Sequence, residues 1–491
     1  MVDSSIVATS LYTIGTNFDG LEEVNWVALS YTLAYLGLAV FIARLSDVVG
    51  RQTAFLASLM VFAAFSIGCA RASTLHQLIA LRAIQGIGGS GLYSLSMVIL
   101  PEITPSRRQH VIGAIIGAVI AAAGAVGPVI GGVLTEYKSW EWIFWIKWVM
   151  NTHPQRNSWA EVDYVGAFLV ISASILVVFS FQYTGDQQRT QEGSGWSEAT
   201  FIAPLVVGVA LLGALIGWEK FAERKWSDRQ LSCFPLVLLR NEYPAVVLYT
   251  ALVGFSFFML VFSFPLRLQV VDRLSPFEAG LRLLPVLGGS AVGSSVGGIV
   301  NGKADWMCEA MAISGCLMML GYGLLNMEES SAWYFFLVLV GLGFGAASAT
   351  ATIFTHVRSP IRHIAPAQGI VAQSRLLGGS IGIAISTVIL SLQMKEFGRN
   401  QVLTLEQLSS LGMDPQETLA IIDATTRETV GDAFVQAFAT NMKVSTAVAA
   451  AAVLAALATF RPYKSRLTPK ARIELLQASE LEYRRSRAEV T

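Results

Sequence analysis

The chain has 491 residues, 54% of them apolar and 14% charged, with a mean hydropathy of +0.56. That is too apolar for a water-soluble globule, and a formal net charge of zero leaves no electrostatic footprint for nucleic acid. Cys69, Cys233, Cys308 and Cys316 show no CxxC spacing, which argues against a disulfide framework or a metal centre.

Residues 1–18 are weakly apolar, include Asp3, and give no cleavable signal peptide. Runs long enough to cross a bilayer follow at about 25–45, 53–70, 77–100 and 111–134. Between the first two lies a short charged step with Arg44, Asp47, Gly50 and Arg51, so the pair is an antiparallel helix hairpin. Asp47 and Arg51 are four apart, one helical turn, and Gly50 offers a place for close backbone approach. This step reads either as a solvated turn or as a functional one.

The third run carries Arg82 and Gln85, three apart and so on one helical face. An arginine within a span costs about 2.5–3.5 kcal/mol on the insertion scale and usually faces a bundle interior or a water path. With His76 only six residues before it, a snorkelling Arg82 is the other reading. The fourth run holds Gly113 and Gly117, then Gly124-Ala-Val-Gly127-Pro128-Val-Ile-Gly131-Gly132. Small residues four apart permit tight helix crossing, and Pro128 bends its helix. Aromatic residues 140–148 then give way to polar 151–156. About twelve residues at 1.5 Å each reach about 18 Å, against a hydrocarbon core of about 30 Å, so this segment is a stub.

Further runs lie at about 164–183, 201–218, 243–264, 279–300, 309–326, 332–355, 369–392 and 444–460. Glycines at 289/293/297, 341/345 and 378/382 predict close helix contacts. Arg375 is either a second interior cation or a side chain that reaches the surface. Residues 395–440 read as a long polar connection, and the basic tail beyond Phe460 as a cytoplasmic anchor on anionic headgroups. Short basic loops belong on the cytoplasmic side. With one crossing added between residues 136 and 163, the later loops and tail place sixteen basic residues inside against six outside. The charge pattern thus calls for a sixth helix that residues 140–150 do not fill, which points to an imperfect or decayed gene.

The residue order resembles the major facilitator superfamily. The charged step is similar to the family's loop between helices two and three, glycine-x-leucine-x-aspartate then glycine-arginine. Here Ala43 stands for the first glycine and Gln52 for a second basic residue. Leu81–Gly88 is similar to the helix-four motif, which assigns Arg82, Gln85 and Gly86. Gly124, Gly127, Pro128, Gly131 and Gly132 look like the helix-five signature of antiporters. Residues 2–11 resemble the second half of helix one in the fourteen-helix drug:proton antiporter branch, with Asp3 as its aspartate and the preceding half missing. Residues 139–144 resemble the lead-in to helix six, and 374–382 the penultimate helix.

The resemblance implies an all-α polytopic membrane protein. Two six-helix bundles (1–150 and 241–460) flank a cavity, with two linker helices within 151–240 and a tail at 461–491. It implies a plasma-membrane monomer that exports small amphipathic or apolar compounds by proton antiport. The proton gradient is the energy source, no cofactor is needed, and the partners are substrate, protons and lipid. Asp3 would accept the proton and Arg82 would set its ionisation. The alternative is a non-transporting relative or transporter-like sensor. An enzyme is disfavoured, since HExxH and GxxxxGK[ST] are lacking and the five histidines are scattered.

Overall fold

In hydrocarbon a backbone can satisfy its polar groups by coiling on itself, and long apolar runs with few charges do so here. The computed structural model describes residues 14, 17–18, 25–103, 163–190, 199–226, 242–274, 276–303, 306–326, 332–359, 364–398 and 424–460. Among these, every regular element is an α-helix: α1 (Asn25–Val49), α2 (Arg51–Ala70), α3 (Leu75–Ile103), α4 (Tyr164–Thr190), α5 (Ala199–Trp226) and α6 (Tyr243–Val270). The order continues with α7 (Pro276–Leu281), α8 (Leu284–Lys303), α9 (Met307–Leu325), α10 (Trp333–Arg358), α11 (Ile364–Gly398) and α12 (Ala424–Leu457). Ten of the described segments are long and apolar enough to cross a membrane, in keeping with the expected all-α polytopic class. Asp3, the Gly124–Gly127–Pro128–Gly131–Gly132 signature, the 140–150 stub and the basic tail lie outside the described residues.

Small residues set the helix spacing. On α8, Gly289, Gly293 and Gly297 face Val338, Leu342 and Ala346 of α10. In return, Gly341 and Gly345 of α10 face Val286, Ser290 and Ser294 of α8. A Cβ on Gly289 would sit 2.6 Å from the Val338 carbonyl oxygen, so the backbones touch with no room for a side chain. Gly378 and Gly382 of α11 do the same against Ala251 and Phe255 of α6. The expected glycine contacts therefore form. Phe257 of α6 stacks on Phe344 of α10 with centroids 3.6 Å apart, and the Tyr249 hydroxyl donates to the Met311 carbonyl of α9 at 2.9 Å. Helices α6 and α8–α12 thus share one core.

A second group comprises α1–α3. Gly86 and Gly89 of α3 face Tyr31 of α1, while Gly88 and Gly91 face Phe62 and Ser58 of α2. Two sets of small residues on different faces let one helix nest against two neighbours. Helices α4 and α5 form a hairpin fixed by Asp163, whose Oδ1 accepts from the Gly166 backbone N–H at 2.9 Å and from Trp218 Nε1–H at 3.0 Å. The first bond caps α4 and the second ties it to α5. Ile171, Ser174, Ile175 and Val178 share one face of α4. Ile171 and Ile175 pack at Gly37 of α1, and Ser174 Oγ accepts from Gln373 of α11 at 2.6 Å. The hairpin therefore rests on both helix groups.

Two elements depart from the sequence expectation. The run at 279–300 is split into α7 and α8, with Pro285 in the first turn of α8, where its missing N–H costs nothing. The polar connection ends far earlier than expected, because α12 begins at Ala424. Its opening turns are amphipathic: Val430, Ala433, Phe434, Ala437 and Phe438 recur at helical spacing and bury against Val270 and Leu390 or against Phe264 and Trp333. Mean hydropathy misses such a segment; periodicity finds it.

Glycine packing gives a controlled test. Gly345→Leu would drive a side chain into the backbone at Ser290 and Ser294, while Gly323 has nothing within 4 Å. Overpacking costs about 1–3 kcal/mol or more. Size-exclusion of detergent extracts should show Gly345→Leu largely lost or aggregated and Gly323→Leu close to wild type; equal yields would contradict the packing.

Candidate functional site

The charged turn is built on Gly50, which adopts φ 93° and ψ 140° as α1 gives way to α2. Side-chain-bearing residues reach that region only with strain, so the glycine serves chain reversal here. One turn earlier, Asp47 is clasped from both sides. Arg44, three residues before it, donates to Oδ2 at 2.7 Å, and Arg51, four residues after it, pairs with Oδ1 at 2.5 Å. Arg51 also donates to Ser46 Oγ at 2.5 Å. The expected Asp47–Arg51 pair forms, and Arg44 is the member that sequence reasoning missed, although its i,i+3 spacing to Asp47 was visible. Arg44 is only 2% exposed, so this is a partly buried triad rather than a solvated turn.

The same end of α1 meets α11. A Cβ on Gly369 would stand 3.3 Å from Val40 Cα and 3.5 Å from Ala43 Cβ. Ala43 takes the place of the signature glycine, and a glycine on the opposite helix restores the close contact.

Arg82 lies near the other end of α1. It is 1% exposed and turns inward, so the snorkelling alternative does not hold. Its Nε–H donates to the Val27 carbonyl at 3.2 Å, a second guanidinium nitrogen donates to Gln85 Oε1 at 2.7 Å, and the group lies 4.2 Å over the Tyr31 ring. Gly86 permits this approach, since a Cβ there would be 2.5 Å from the Tyr31 carbonyl oxygen. The three motif residues Arg82, Gln85 and Gly86 thus act together on one stretch of α1.

An aromatic ladder continues from Arg82. Tyr31 and Tyr35 are offset by one turn with centroids 5.8 Å apart, and Tyr35 and Tyr93 lie 5.9 Å apart. Tyr31 and Tyr35 share a cluster with Leu376 and Leu377 of α11 and Phe258 of α6. Here the two helix groups meet over aromatic and aliphatic surface. The i,i+4 spacing of the two tyrosines is the signal of this ladder in the sequence. Val27 and Asp47 are twenty residues apart on α1, about 30 Å along the axis. The structure therefore separates the sequence-chosen residues into an Arg82 region and an Asp47 region, one at each end of α1. Arg375 falls in neither; it is buried on α11 with its backbone against Gly254 of α6. Among the described residues, no three His, Cys, Asp or Glu side chains converge as a metal site.

The Asp47 clasp should show as a coupled stability effect. Asp47→Asn leaves Arg44 buried without its carboxylate, which costs about 3 kcal/mol by analogy with other broken buried pairs. Adding Arg44→Gln should recover part of that loss in a thermal-unfolding cycle. Strict additivity of the two changes would mean that the pair contributes nothing.

The profile described as Major Facilitator Superfamily matches residues 1–151 and 156–383 of the chain, including the stretch that carries Asp3 and the Gly-Pro signature. Among curated proteins, the MFS-type transporter FPY5 of Fusarium mangiferae is 26% identical over 485 residues, covering 92% of this chain and 80% of that protein. The aspyridones efflux protein of Neocamarosporium betae is 27% identical over 84% of this chain and 75% of its own length. Among solved structures, a bacterial homologue of the human lysosomal transporter Spinster, captured inward-facing and occupied, superposes with a TM-score of 0.56. It is 18% identical and covers 94% of this chain and 96% of its own. With ten membrane-length helices among its described residues and a profile match over most of its length, the chain belongs to the major facilitator superfamily: it is an integral membrane transporter, not an enzyme.

Proposed function

We propose that this protein exports small apolar or amphipathic compounds, such as secondary metabolites, by proton antiport and alternating access. The observation that carries the reading is the buried Arg82–Gln85 pair opening onto the Tyr31–Tyr35–Tyr93 ladder, where α1 and α3 face α6 and α11. Aromatic and aliphatic walls with a few fixed polar groups suit planar, apolar cargo. Relatives named as efflux proteins support the outward direction.

The mechanism follows from the two ends of α1. The Val40–Ala43–Gly369 contact packs α1 on α11 at one end, beside the Asp47 triad, and the positive-inside rule makes that end cytoplasmic. Releasing that contact would open the cavity inward; re-forming it would close it. Arg82 acts as a fixed cation in this scheme and not as the group that carries the proton. Its role is to fix the tyrosine ladder and to hold a nearby carboxylate ionised until the proton arrives. Asp3 is the proposed acceptor, chosen from its place in the sequence.

Proteoliposomes with an imposed pH gradient test this reading. A lumenal pH dye should report proton movement when a panel of apolar compounds is added, and labelled compound should accumulate only while the gradient lasts. Arg82→Ala should abolish accumulation, and Arg82→Lys should slow it about tenfold, since a lysine cannot serve Val27, Gln85 and the Tyr31 face together. Accumulation by Arg82→Ala at the wild-type rate would remove Arg82 from the mechanism; gradient-independent equilibration would remove antiport.

A further inference from the structure

The buried arginines of the described chain have visible company, with one exception. Arg44 has Asp47, Arg82 has Val27, Gln85 and Tyr31, and Arg267 lies 4.4 Å over Trp333 with Asp272 at 4.0 Å. Arg375 is 5% exposed, its Nε is enclosed without a hydrogen-bond acceptor, and among the described residues no hydrogen bond or ion pair reaches its guanidinium. It stands nine residues into the Pro366–Gln393 span, about 14 Å along the helix.

Among the described residues, the spans of this half offer no counter-charge at that depth. The acidic residues within its spans are Glu278, Glu309 and Asp432, each at or within two residues of a span's start. Tyr249 is within electrostatic range, but its hydroxyl proton goes to the Met311 carbonyl. Nor can the side chain escape by a shift of its helix. Gly254 lies against the backbone of Arg375 itself, and Gly378 and Gly382 lock the next turns of α11 to Ala251 and Phe255. On the same helix Gln373 is committed to Ser174, and Leu376 joins the Tyr31–Tyr35 cluster between the two groups. Arg375 is therefore a buried, rigidly placed cation one residue from the meeting surface.

We propose that Arg375 binds a monoanionic carboxylate of the transported compound. A guanidinium presents a planar fork that matches a carboxylate in two parallel hydrogen bonds, and it is weakly hydrated enough to be buried for that purpose. A bound carboxylate satisfies the enclosed guanidinium, and its release on the far side of the membrane leaves the charge ready for the next molecule. The site thus selects acidic apolar cargo over neutral or cationic analogues. The anion site stands on its own geometry, whereas its assignment to cargo rests on the export reading above.

Thermal unfolding of the purified full-length chain, with benzoate as the probe, separates the two. Sodium benzoate should raise the wild-type midpoint saturably by about 2 °C or more, while its neutral isostere benzamide and sodium chloride at equal concentration should not. Arg375→Gln should fold, since it removes an unpaired buried charge, and should lose the benzoate shift; Arg375→Lys should keep a weaker one. In vesicles showing uptake, benzoate should compete and benzamide should not. Equal benzoate shifts in wild type and Arg375→Gln, or an Arg375→Gln chain that does not fold, would overturn the site. A matching saturable shift with chloride, or benzoate binding without competition, would overturn the cargo assignment.

Discussion

The two helix groups meet where α1 packs on α11 at Val40, Ala43 and Gly369. It works because neither helix carries a bulky side chain there, so van der Waals contact is made between backbones and single methyl groups. Directly beside it sits the Asp47 triad, which fixes the end of α1, and Gly50, which turns the chain into α2. A charged, partly buried clasp thus stands next to a smooth apolar contact. Small residues give the two helices close van der Waals contact in lipid, and the polar clasp fixes the chain turn beside it.

Buried charge organises the rest of the interior. Each arginine placed inside the helix groups is costly in hydrocarbon, and the chain meets that cost differently at each. Arg44 has a carboxylate one turn away, Arg82 uses a carbonyl, an amide and an aromatic face, and Arg267 combines rings with Asp272. The first two stand at opposite ends of α1. That helix therefore carries both the clasp and the polar anchor of the aromatic ladder, and any tilt of α1 changes both at once.

Much of this was legible in the sequence. The apolar runs located α1–α3, α6 and α9–α11 closely, because hydrocarbon length and a low density of charge leave little freedom in where a spanning helix lies. Arg82, Gln85 and Gly86 were found through their spacing and resemblance, and the glycine pairs marked real backbone contacts. What escaped was information held in partners far apart in the chain. Nothing local says that Gln373 meets Ser174, or that Asp163 holds Trp218. The start of α12 was missed because its charged outer face lowers mean hydropathy, although Val430, Ala433, Phe434, Ala437 and Phe438 carry the helical period. The positive φ at Gly50 is likewise a need that composition does not announce.

The contact between α1 and α11 can be measured directly by a disulfide. The Cβ position at Gly369 lies 3.5 Å from that of Ala43, inside the range of about 3.5–4.5 Å that a disulfide spans. In membranes, Ala43→Cys/Gly369→Cys should cross-link under mild oxidant while either single variant does not. The bridged protein should stop transporting, and reductant should restore it. If the pair fails to cross-link under any condition, or if the bridged protein transports at the unbridged rate, this contact is not the one that opens and closes.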